Sequence, residues 1–380
     1  MANKEINDLI KSINTQFKSN VVNLGKDVKD KLTIKFIPTT SMKLNKLLGG
    51  GIARGRIAEF FGPTGSGKTT ACYEIVGKDM KEDPDSYWGW YETEHSYDQE
   101  QAEKFGVDIN RLIFWEMDDS GAENGLDILE AVIRKGSGNV KGIVVNSVAG
   151  LTPKKELETA MDKQDMGTQA KMMSKLMRKI TAIAGKNDIA VIFINQVRDK
   201  ISLFGGTTTT GGRALSFFAT QRVEFRKTKI EASDGVNVDE YIKMVAKIAK
   251  NRCAQGNPYL ETTLMARYGV GIDTVMELIE LAVNQGIIEK KAGGNYRYVT
   301  DKEKEIKWRG AKSLMDFFDD KENESIFTEI SGKINQGAIA TKELSAEDIA
   351  QLEKYNNDSK AAIGESLAEQ EVVAENANEA

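Results

Sequence analysis

The chain has 380 residues, of which 40% are hydrophobic and 29% charged, a balance typical of a globular protein with one large core and smaller appendages. No stretch approaches the roughly 20 consecutive apolar residues of a membrane span, and the charged N-terminus lacks the apolar segment of a signal peptide. The two cysteines form no C-x-x-C pair, so no zinc site is indicated and a reducing compartment is favoured. We therefore expect a cytoplasmic protein with no membrane partner.

The net charge of −5 is unevenly distributed along the chain. Residues 341–380 contain ten Asp or Glu and three Lys, a balance of −7, which leaves about +2 for the first 340 residues. This acidic end has few apolar residues to bury, so we expect 337–380 to be a disordered tail. Such a tail either keeps the protein soluble or competes with nucleic-acid phosphates for basic surface.

A short amphipathic helix is predicted at the N-terminus, because five apolar residues between 3 and 18 fall on one helical face: Ile6, Leu9, Ile10, Ile13 and Phe17. A lone helix of this length is marginal in water. It must therefore dock on its own protein body or on a neighbouring subunit. We expect residues 1–31 to be this helix and its linker, and to make a subunit contact.

The most specific local pattern lies between Phe60 and Thr70, where an apolar strand, a glycine-rich loop and a helix start follow one another. Residues 62–69 fit G-x-x-x-x-G-K-[ST], in which backbone N–H groups and the positive helix end surround a polyphosphate. In this pattern Lys68 contacts the β- and γ-phosphates and the Thr69 hydroxyl binds Mg²⁺. A glycine-rich turn without a ligand is the alternative. The flanking strand and helix favour a nucleotide site made of Gly62, Pro63, Thr64, Gly65, Ser66, Gly67, Lys68, Thr69 and Thr70.

Two further strands are predicted to end in polar residues that face the same site. The strand from about Ser86 to Tyr91 precedes Glu92 and Glu94, and open α/β sheets bind ligands at the carboxyl ends of their strands. Glu94 is then either a carboxylate that polarises an attacking water or one of a solvated pair of acids. The strand KGIVVN has the form of a Walker B strand, but it ends in Asn146 where Asp is usual. An amide oxygen brings no charge, so we expect weaker magnesium binding.

Two long segments are predicted to be functional loops, at about 156–168 and 197–212. The first leads into a Met-rich helix, MGTQAKMMSKLMRKI, whose cations lie outward. The second is rich in Gly and Thr and follows a buried strand that ends at Gln196. This position would let Gln196 sense a γ-phosphate and pass that state to the loop. These segments belong to a core that we place at 32–266, followed by a small α/β domain at 267–336.

Taken jointly, these motifs resemble the RecA-type recombinases of bacteria and phages over most of residues 30–300. The matching text is GPTGSGKTT, ETEH, GIVVNSVAGLTPKKELE, MGTQAKMMSKLMRKI, FINQVRDKI, TTTTGGRALSFFATQRVEFRK and AKNR. The resemblance implies an α/β fold, a RecA-like P-loop NTPase core whose mostly parallel sheet carries helices on both faces. It also implies an ATP- and Mg²⁺-dependent recombinase that forms helical filaments on single-stranded DNA. Such a filament pairs with homologous double-stranded DNA and works with mediator or single-strand-binding proteins.

The resemblance further implies roles for particular residues. Glu94 looks like the base that activates water, and Gln196 like the γ-phosphate sensor. Lys250 and Arg252 resemble a pair that a neighbouring subunit places against the phosphates, and Phe217 resembles an intersubunit aromatic. The positions that match DNA contacts are Met166, Lys171, Ser174, Arg178, Arg198, Ile201, Gly211, Gly212 and Arg213.

The sequence departs from the family pattern around the nucleotide. Gln101 stands where the family commonly has an adenine-stacking Tyr, although Asp98 is retained. Asn146 replaces the metal-binding Asp, so a DNA-binding filament protein with little turnover is one alternative. A ring-forming RecA-fold motor is another, but such a motor would lack the paired TTTTGGRALSFF and AKNR motifs.

Overall fold

The computed structural model describes residues 2–29, 33–136, 138–159, 167–199, 207–231, 237–253 and 260–337. It divides into two compact units, Met1–Glu324 and Ser325–Ala380. The predicted acidic tail lies almost wholly outside the described residues. The predicted boundary at 266, inside the first unit, stays a prediction.

The strands include a large central sheet and a small one near the C-terminus. In chain order they are β1 (Phe36–Ile37), β2 (Ile52–Ala53), β3 (Ile57–Gly62), β4 (Tyr87–Glu92), β5 (Leu112–Glu116), β6 (Val140–Asn146), β7 (Ala190–Asp199), β8 (Thr207–Thr209), β9 (Gln221–Thr228), β10 (Tyr241–Asn251), β11 (Glu261–Arg267), β12 (Gly271–Ile272), β13 (Glu289–Lys290), β14 (Asn295–Val299) and β15 (Glu305–Arg309).

The helices are distributed along the whole described chain. They are α1 (Ala2–Gln16), α2 (Met42–Leu48), α3 (Lys68–Glu82), α4 (Gln99–Lys104), α5 (Ala122–Lys135), α6 (Lys154–Leu157), α7 (Thr168–Asn187), α8 (Arg213–Phe218), α9 (Thr274–Asn284), α10 (Gly310–Asp319) and α11 (Glu324–Gly337). Within the described ranges, no helix is both long and apolar enough to cross a membrane.

The central sheet runs in the order β12-β11-β10-β9-β3-β7-β6-β4-β5. Every pair from β9 to β5 is parallel, whereas β10, β11 and β12 add antiparallel pairs at one side. Parallel neighbours need crossover connections, which here contain α4 between β4 and β5 and α7 between β6 and β7. The small sheet, β13-β14-β15, is antiparallel and adjoins α9 and α10 in the chain.

Side chains of the parallel strands alternate between two hydrophobic cores, one on each face of the sheet. In β7, Ile192 and Ile194 join the core formed with α2 and α3, whereas Val191 and Phe193 join the core formed with α5 and α7. Both faces of the strand are therefore buried, which explains why its sequence is continuously apolar. The predicted α/β class, a mostly parallel sheet with helices on both faces, is confirmed.

Two buried carboxyl groups lie where helices meet the connections around the sheet. The Glu74 Oε1 atom accepts a hydrogen bond of 2.7 Å from the backbone N–H of Ile272, and Glu277 accepts one of 2.7 Å from the Ser41 hydroxyl. Both side chains are almost fully buried. Burial disfavours their charged forms and raises the pKa of each carboxyl to about 7.

We expect the Glu74→Gln variant to be less sensitive to pH than the wild-type protein. Because the pKa of Glu74 is higher in the folded chain, folding binds a proton, and this stabilisation is complete below the ordinary pKa of 4.5. It is lost as the pH rises through about 7. Denaturant unfolding over this pH range should show a shallower fall in the free energy of unfolding for Glu74→Gln.

The exposed Glu100→Gln change is the matched control and should reproduce the wild-type slope. If Glu74→Gln and the wild type lose stability equally between about pH 5 and 7.5, the carboxyl does not titrate as proposed.

Candidate functional site

The predicted site residues meet at one edge of the sheet, where four parallel strands end. The register aligns Gly62 of β3 with Gln196 of β7, and Asn146 of β6 with Glu92 of β4. Strand β7 also pairs with β6, so the four carboxyl ends are neighbours. Ligands bind at this edge in open α/β sheets because loops and helix N-termini converge there.

The glycine-rich loop leaves β3 and enters α3 with backbone angles that only glycine adopts easily. Gly62 and Gly67 have φ angles of 150° and 88°. A Cβ atom on Gly62 would lie 2.0 Å from the carbonyl oxygen of Phe225, and one on Gly67 would lie 2.0 Å from the sulfur of Met244. Helix α3 begins at Lys68, so its first, unpaired N–H groups face the loop. The loop therefore has the shape and the donors of an anion site.

The Lys68 side chain lies folded inside this loop. Its Nζ atom donates to the carbonyl oxygens of Pro63 at 2.6 Å and Gly62 at 3.1 Å. Burial lowers the pKa of Lys68, and the nearby Glu94 carboxylate partly opposes this effect. A bound phosphate would supply a full negative charge to an ammonium group that now has only partial compensation.

The predicted base and the predicted sensor are in direct contact. The Gln196 side-chain amide donates to Oε1 of Glu94 at 2.8 Å, and the Ser147 hydroxyl donates to the same oxygen. Glu94 is exposed and Gln196 half-buried, so both can reach a ligand over the loop. The structure thus brings together residues that are far apart in the sequence.

Behind Gln196, a buried polar network connects β7 to the chain just before Gly211. The Asn195 amide donates to Glu59 at 2.8 Å and to the Thr210 carbonyl at 3.1 Å. The Thr210 hydroxyl donates back to the Asn195 Oδ1 atom. The backbone N–H of Thr210 also donates to the Gln196 carbonyl at 3.3 Å. Hydrogen bonds therefore connect Asn195 and the Gln196 backbone to the end of the second predicted loop.

Glu92 is a site residue that the sequence-based reasoning placed only in a pair of acids. It is fully buried at the end of β4, and its Oε2 atom accepts hydrogen bonds from Asn146 at 2.9 Å and Trp90 at 3.1 Å. The available signal was its position as the last residue of an apolar run, which favours a buried side chain. The outward-facing acid is Glu94.

A cavity of about 210 Å³ extends from the glycine-rich loop toward α4 and the end of β11. Gln101 lines it, and Asp98 caps α4 by accepting a hydrogen bond of 2.9 Å from the Gln101 N–H. The structure adds Tyr268, an exposed aromatic that the sequence did not single out. The signal that could have identified Tyr268 was its position directly after β11. Strand β11 runs in the same direction as β9, because both are antiparallel to β10. The other lining residues are Gly65, Ser66, Gly67, Lys68, Thr69, Thr70, Phe105, Ile242, Met244, Ala266, Arg267 and Gly269.

The predicted cationic pair lies at the carboxyl end of α8. The Lys250 Nζ atom donates to the carbonyl oxygens of Phe217 at 2.7 Å and Ser216 at 2.8 Å. Burial and the neighbouring guanidinium groups of Arg252 and Arg222 lower the pKa of Lys250 to about 8. Phe217 is 67% exposed. This cluster therefore presents two cations and an aromatic ring on an outer face of the chain.

The predicted DNA-contact residues that are described lie around α7 and the second loop. Lys171 and Arg178 are exposed on one face of α7, and Ser174 between them is half-buried. Lys175, which is not among the predicted contacts, is exposed on the same face. Arg198 is exposed near the end of β7, and Arg213 is exposed at the start of α8. Met166 and Ile201 lie outside the described residues.

Two glycines hold the second loop against the helix that follows the first. Gly211 and Gly212 have φ angles of 80° and 75°. A Cβ on Gly211 would lie 2.7 Å from Val148, and one on Gly212 would lie 2.7 Å from Ala170 of α7. Part of the predicted loop at 197–212 is strand, because β7 continues to Asp199 and pairs with β8, Thr207–Thr209. β-Branched threonine favours this conformation.

Comparison with known proteins decides the family. The model of the RecA N-terminal domain matches residues 4–273. The RecA protein of Thermus aquaticus is 38% identical over 339 residues, which cover 88% of this chain and 94% of that protein. The RecA protein of Chloroherpeton thalassium is 36% identical over 343 residues, with coverage of 89% and 91%. That of Mesoplasma florum is 40% identical over 269 residues, with coverage of 70% and 78%.

This chain belongs to the RecA family.

The family membership confirms the resemblance drawn from the motifs. As a RecA-family protein, the chain is an ATP-dependent recombinase of DNA recombination and repair, with DNA-dependent ATPase and strand-exchange activity. It binds nucleotide and DNA and forms filaments. The alternatives of a ring-forming motor and of a filament protein with little turnover are not favoured.

Replacing Lys68 with Ala should lower ATP turnover at least about 100-fold, because a preorganised cation is removed from the loop. Steady-state ATPase assays check this. The control is Lys78→Ala, on the same helix, where the lysine pairs with Glu82 instead. Turnover that survives in Lys68→Ala would contradict the assignment of the loop.

Proposed function

We propose that ATP binds with Mg²⁺ over the glycine-rich loop, and that its γ-phosphate controls the DNA-binding segments through Gln196. The observation that carries this proposal is the 2.8 Å hydrogen bond between Gln196 and Glu94 at the mouth of the loop. A γ-phosphate in the loop would lie beside both side chains. Gln196 would then exchange a carboxylate partner for a phosphate oxygen, and its network to Thr210 would transmit the change.

The donor set at this edge fits Mg²⁺. The half-buried Thr69 hydroxyl and the Asn146 side-chain oxygen are hard oxygen ligands, the kind that Mg²⁺ prefers beside phosphates and water. Within the described ranges, no group of three or more His, Cys, Asp or Glu is placed to hold a metal ion. The protein would thus supply few ligands and the phosphates the rest. When bound, the ion neutralises charge that develops on the phosphates.

Side chains at this edge would act in hydrolysis. Lys68 would hold the β- and γ-phosphates, and Glu94 would accept a proton from the attacking water. Ser147 also donates to Oε1 of Glu94, so it would keep the carboxylate in place after Gln196 has turned to the phosphate. The adenine would enter the cavity beside Gln101 and Tyr268, where the tyrosine ring offers a stacking surface.

Two exposed surfaces, on α1 and around Lys250, support a filament in which neighbouring subunits share each nucleotide site. Helix α1 exposes apolar side chains, with Ile6 45% and Leu9 53% exposed, as a helix that docks on a neighbour would. Lys250 and Arg252 would approach the phosphates bound by the next subunit, beside the exposed Phe217. Head-to-tail contacts of this kind extend into helices when the rotation does not close.

The basic face of α7 and the second loop would bind DNA without regard to sequence. Lys171, Lys175, Arg178, Arg198 and Arg213 offer cations to phosphates, and phosphate contacts carry no base information. Mediator or single-strand-binding partners, the cytoplasmic location and the role of the acidic tail stay predictions.

A triple variant, Lys171→Ala/Lys175→Ala/Arg178→Ala, should weaken single-stranded DNA binding and reduce its salt dependence. Each phosphate contact contributes about −0.7 to the log–log slope of affinity against salt, so losing three should flatten the slope by about 2. Fluorescence anisotropy at several salt concentrations measures both quantities. The control is Lys179→Ala, on the same helix, where the lysine pairs with Glu130 at 2.6 Å. An unchanged slope in the triple variant would place DNA elsewhere.

The Gln196→Ala variant tests the proposed coupling. It should bind a fluorescent ATP analogue with an affinity within about threefold of the wild type, yet lose at least about 10-fold of the ATPase stimulation by single-stranded DNA. The exposed Gln99→Ala change, on α4, should leave both quantities unaltered. Full DNA stimulation in Gln196→Ala would rule out this glutamine as the sensor.

A further inference from the structure

Asn146 and Glu92 form a polar pair at the edge of the sheet where the parallel strands end. The last residues of β6 and β4 are register partners, and the Asn146 Nδ2 atom donates to Glu92 Oε2 at 2.9 Å. The Glu92 carboxylate is fully buried. Its remaining donors are the Trp90 indole at 3.1 Å, the Glu94 N–H at 3.0 Å, and the Ser96 hydroxyl and N–H at 3.3 and 3.4 Å.

The hydrogen bond to Glu92 determines which way the Asn146 amide faces. A carboxylate only accepts hydrogen bonds, whereas an amide has one donating and one accepting end. Asn146 must therefore direct its NH₂ group to Glu92, and its oxygen points away. Among the described residues, no hydrogen bond to Asn146 Oδ1 is formed. This oxygen is therefore free to accept a hydrogen bond from a ligand or from water.

We propose that Glu92 is a positioning residue for the nucleotide site, and that Glu92 and Asn146 together do the work of a single Walker B aspartate. Glu92 orients the amide so that Oδ1 would be available to the proposed Mg²⁺ site. Glu92 also supplies the negative charge that Asn146 lacks. This inference rests on the proposed Mg²⁺–ATP site and deepens it.

The proposed pair and the simple loss of a charge at position 146 predict opposite effects of Asn146→Asp on metal binding. If Asn146 merely lacked a useful charge, Asn146→Asp would improve metal binding. With Glu92 opposite, the same change places two acceptors about 2.9 Å apart in a buried position, without a donor between them. Asn146→Asp should therefore impair the site, and Glu92→Gln should relieve the conflict by restoring a donor.

The test measures the Mg²⁺ concentration for half-maximal binding of a fluorescent ATP analogue, together with thermal unfolding in the absence of nucleotide. Glu92→Gln should raise the Mg²⁺ midpoint about 10-fold, the usual cost of losing a partner that orients a metal ligand. The control is Glu116→Gln, at the end of β5, the register neighbour of Glu92 on its other side. This control should leave the midpoint within about twofold of the wild type.

The double variant Glu92→Gln/Asn146→Asp separates orientation from a general structural role. Asn146→Asp alone should lower the unfolding temperature and raise the Mg²⁺ midpoint. The double variant should lose less on both measures than the two single changes added together. Strict additivity, a lower midpoint in Asn146→Asp, or a Glu92→Gln midpoint equal to that of Glu116→Gln would overturn the proposal.

Failure of the underlying site is distinguishable from failure of this inference. If the wild-type protein shows no Mg²⁺-dependent binding of the analogue, or Lys68→Ala binds it as tightly, the site itself is misassigned. If the wild-type protein binds the analogue in an Mg²⁺-dependent manner and Lys68→Ala binds it more weakly, the site itself stands. If the Glu92 variants then behave like the Glu116→Gln control, only the proposal for Glu92 and Asn146 is refuted.

Discussion

The parallel pairing of β3, β7, β6 and β4 is the constraint on which the rest of this structure depends. Parallel register puts the carboxyl ends of the four strands at one edge, so that residues separated by more than 100 positions become neighbours. The Gln196–Glu94 and Asn146–Glu92 hydrogen bonds are direct consequences. A shift of one residue in any strand would turn these side chains to the opposite face and disperse the site.

Two buried carboxylates, Glu59 and Glu92, give the edge its rigidity. Burial of an unpaired charge is expensive, but Glu92 accepts several hydrogen bonds, and Glu59 accepts one from Asn195 and is paired with Arg222 at 2.5 Å. A polar network whose buried carboxylates are hydrogen-bonded tolerates few alternative arrangements. It can therefore hold Gln196 and Asn146 in defined orientations while the exposed Glu94 remains accessible to a ligand. A hydrolytic site needs both features: buried groups that fix the orientation of its side chains, and an acidic side chain that a ligand can reach.

The same network connects the strand ends beside the glycine-rich loop to the chain that packs on α7. Thr210 is bonded to Asn195 and Gln196 on one side, and it directly precedes the glycines that pack against Val148 and Ala170 on the other. The path from the strand ends beside the glycine-rich loop to α7 is thus short and made of close contacts. Such a path provides a physical route for coupling, and the response of DNA-stimulated hydrolysis to changes at Gln196 measures whether it is used.

The sequence by itself determined the features that are local. The glycine-rich loop, the apolar strands and the cations of α7 are recognisable because their patterns span only a few adjacent residues, and the joint motifs identified the RecA family. Only the tertiary structure decided what depends on strand order and side-chain direction. That Glu92 faces Asn146, that Tyr268 lines the nucleotide cavity, and that Lys250 caps α8 follow from contacts between distant segments. Such contacts leave no periodic trace in the sequence, because pairing across a sheet is set by register and packing, and a single polar residue at a strand end is compatible with many partners.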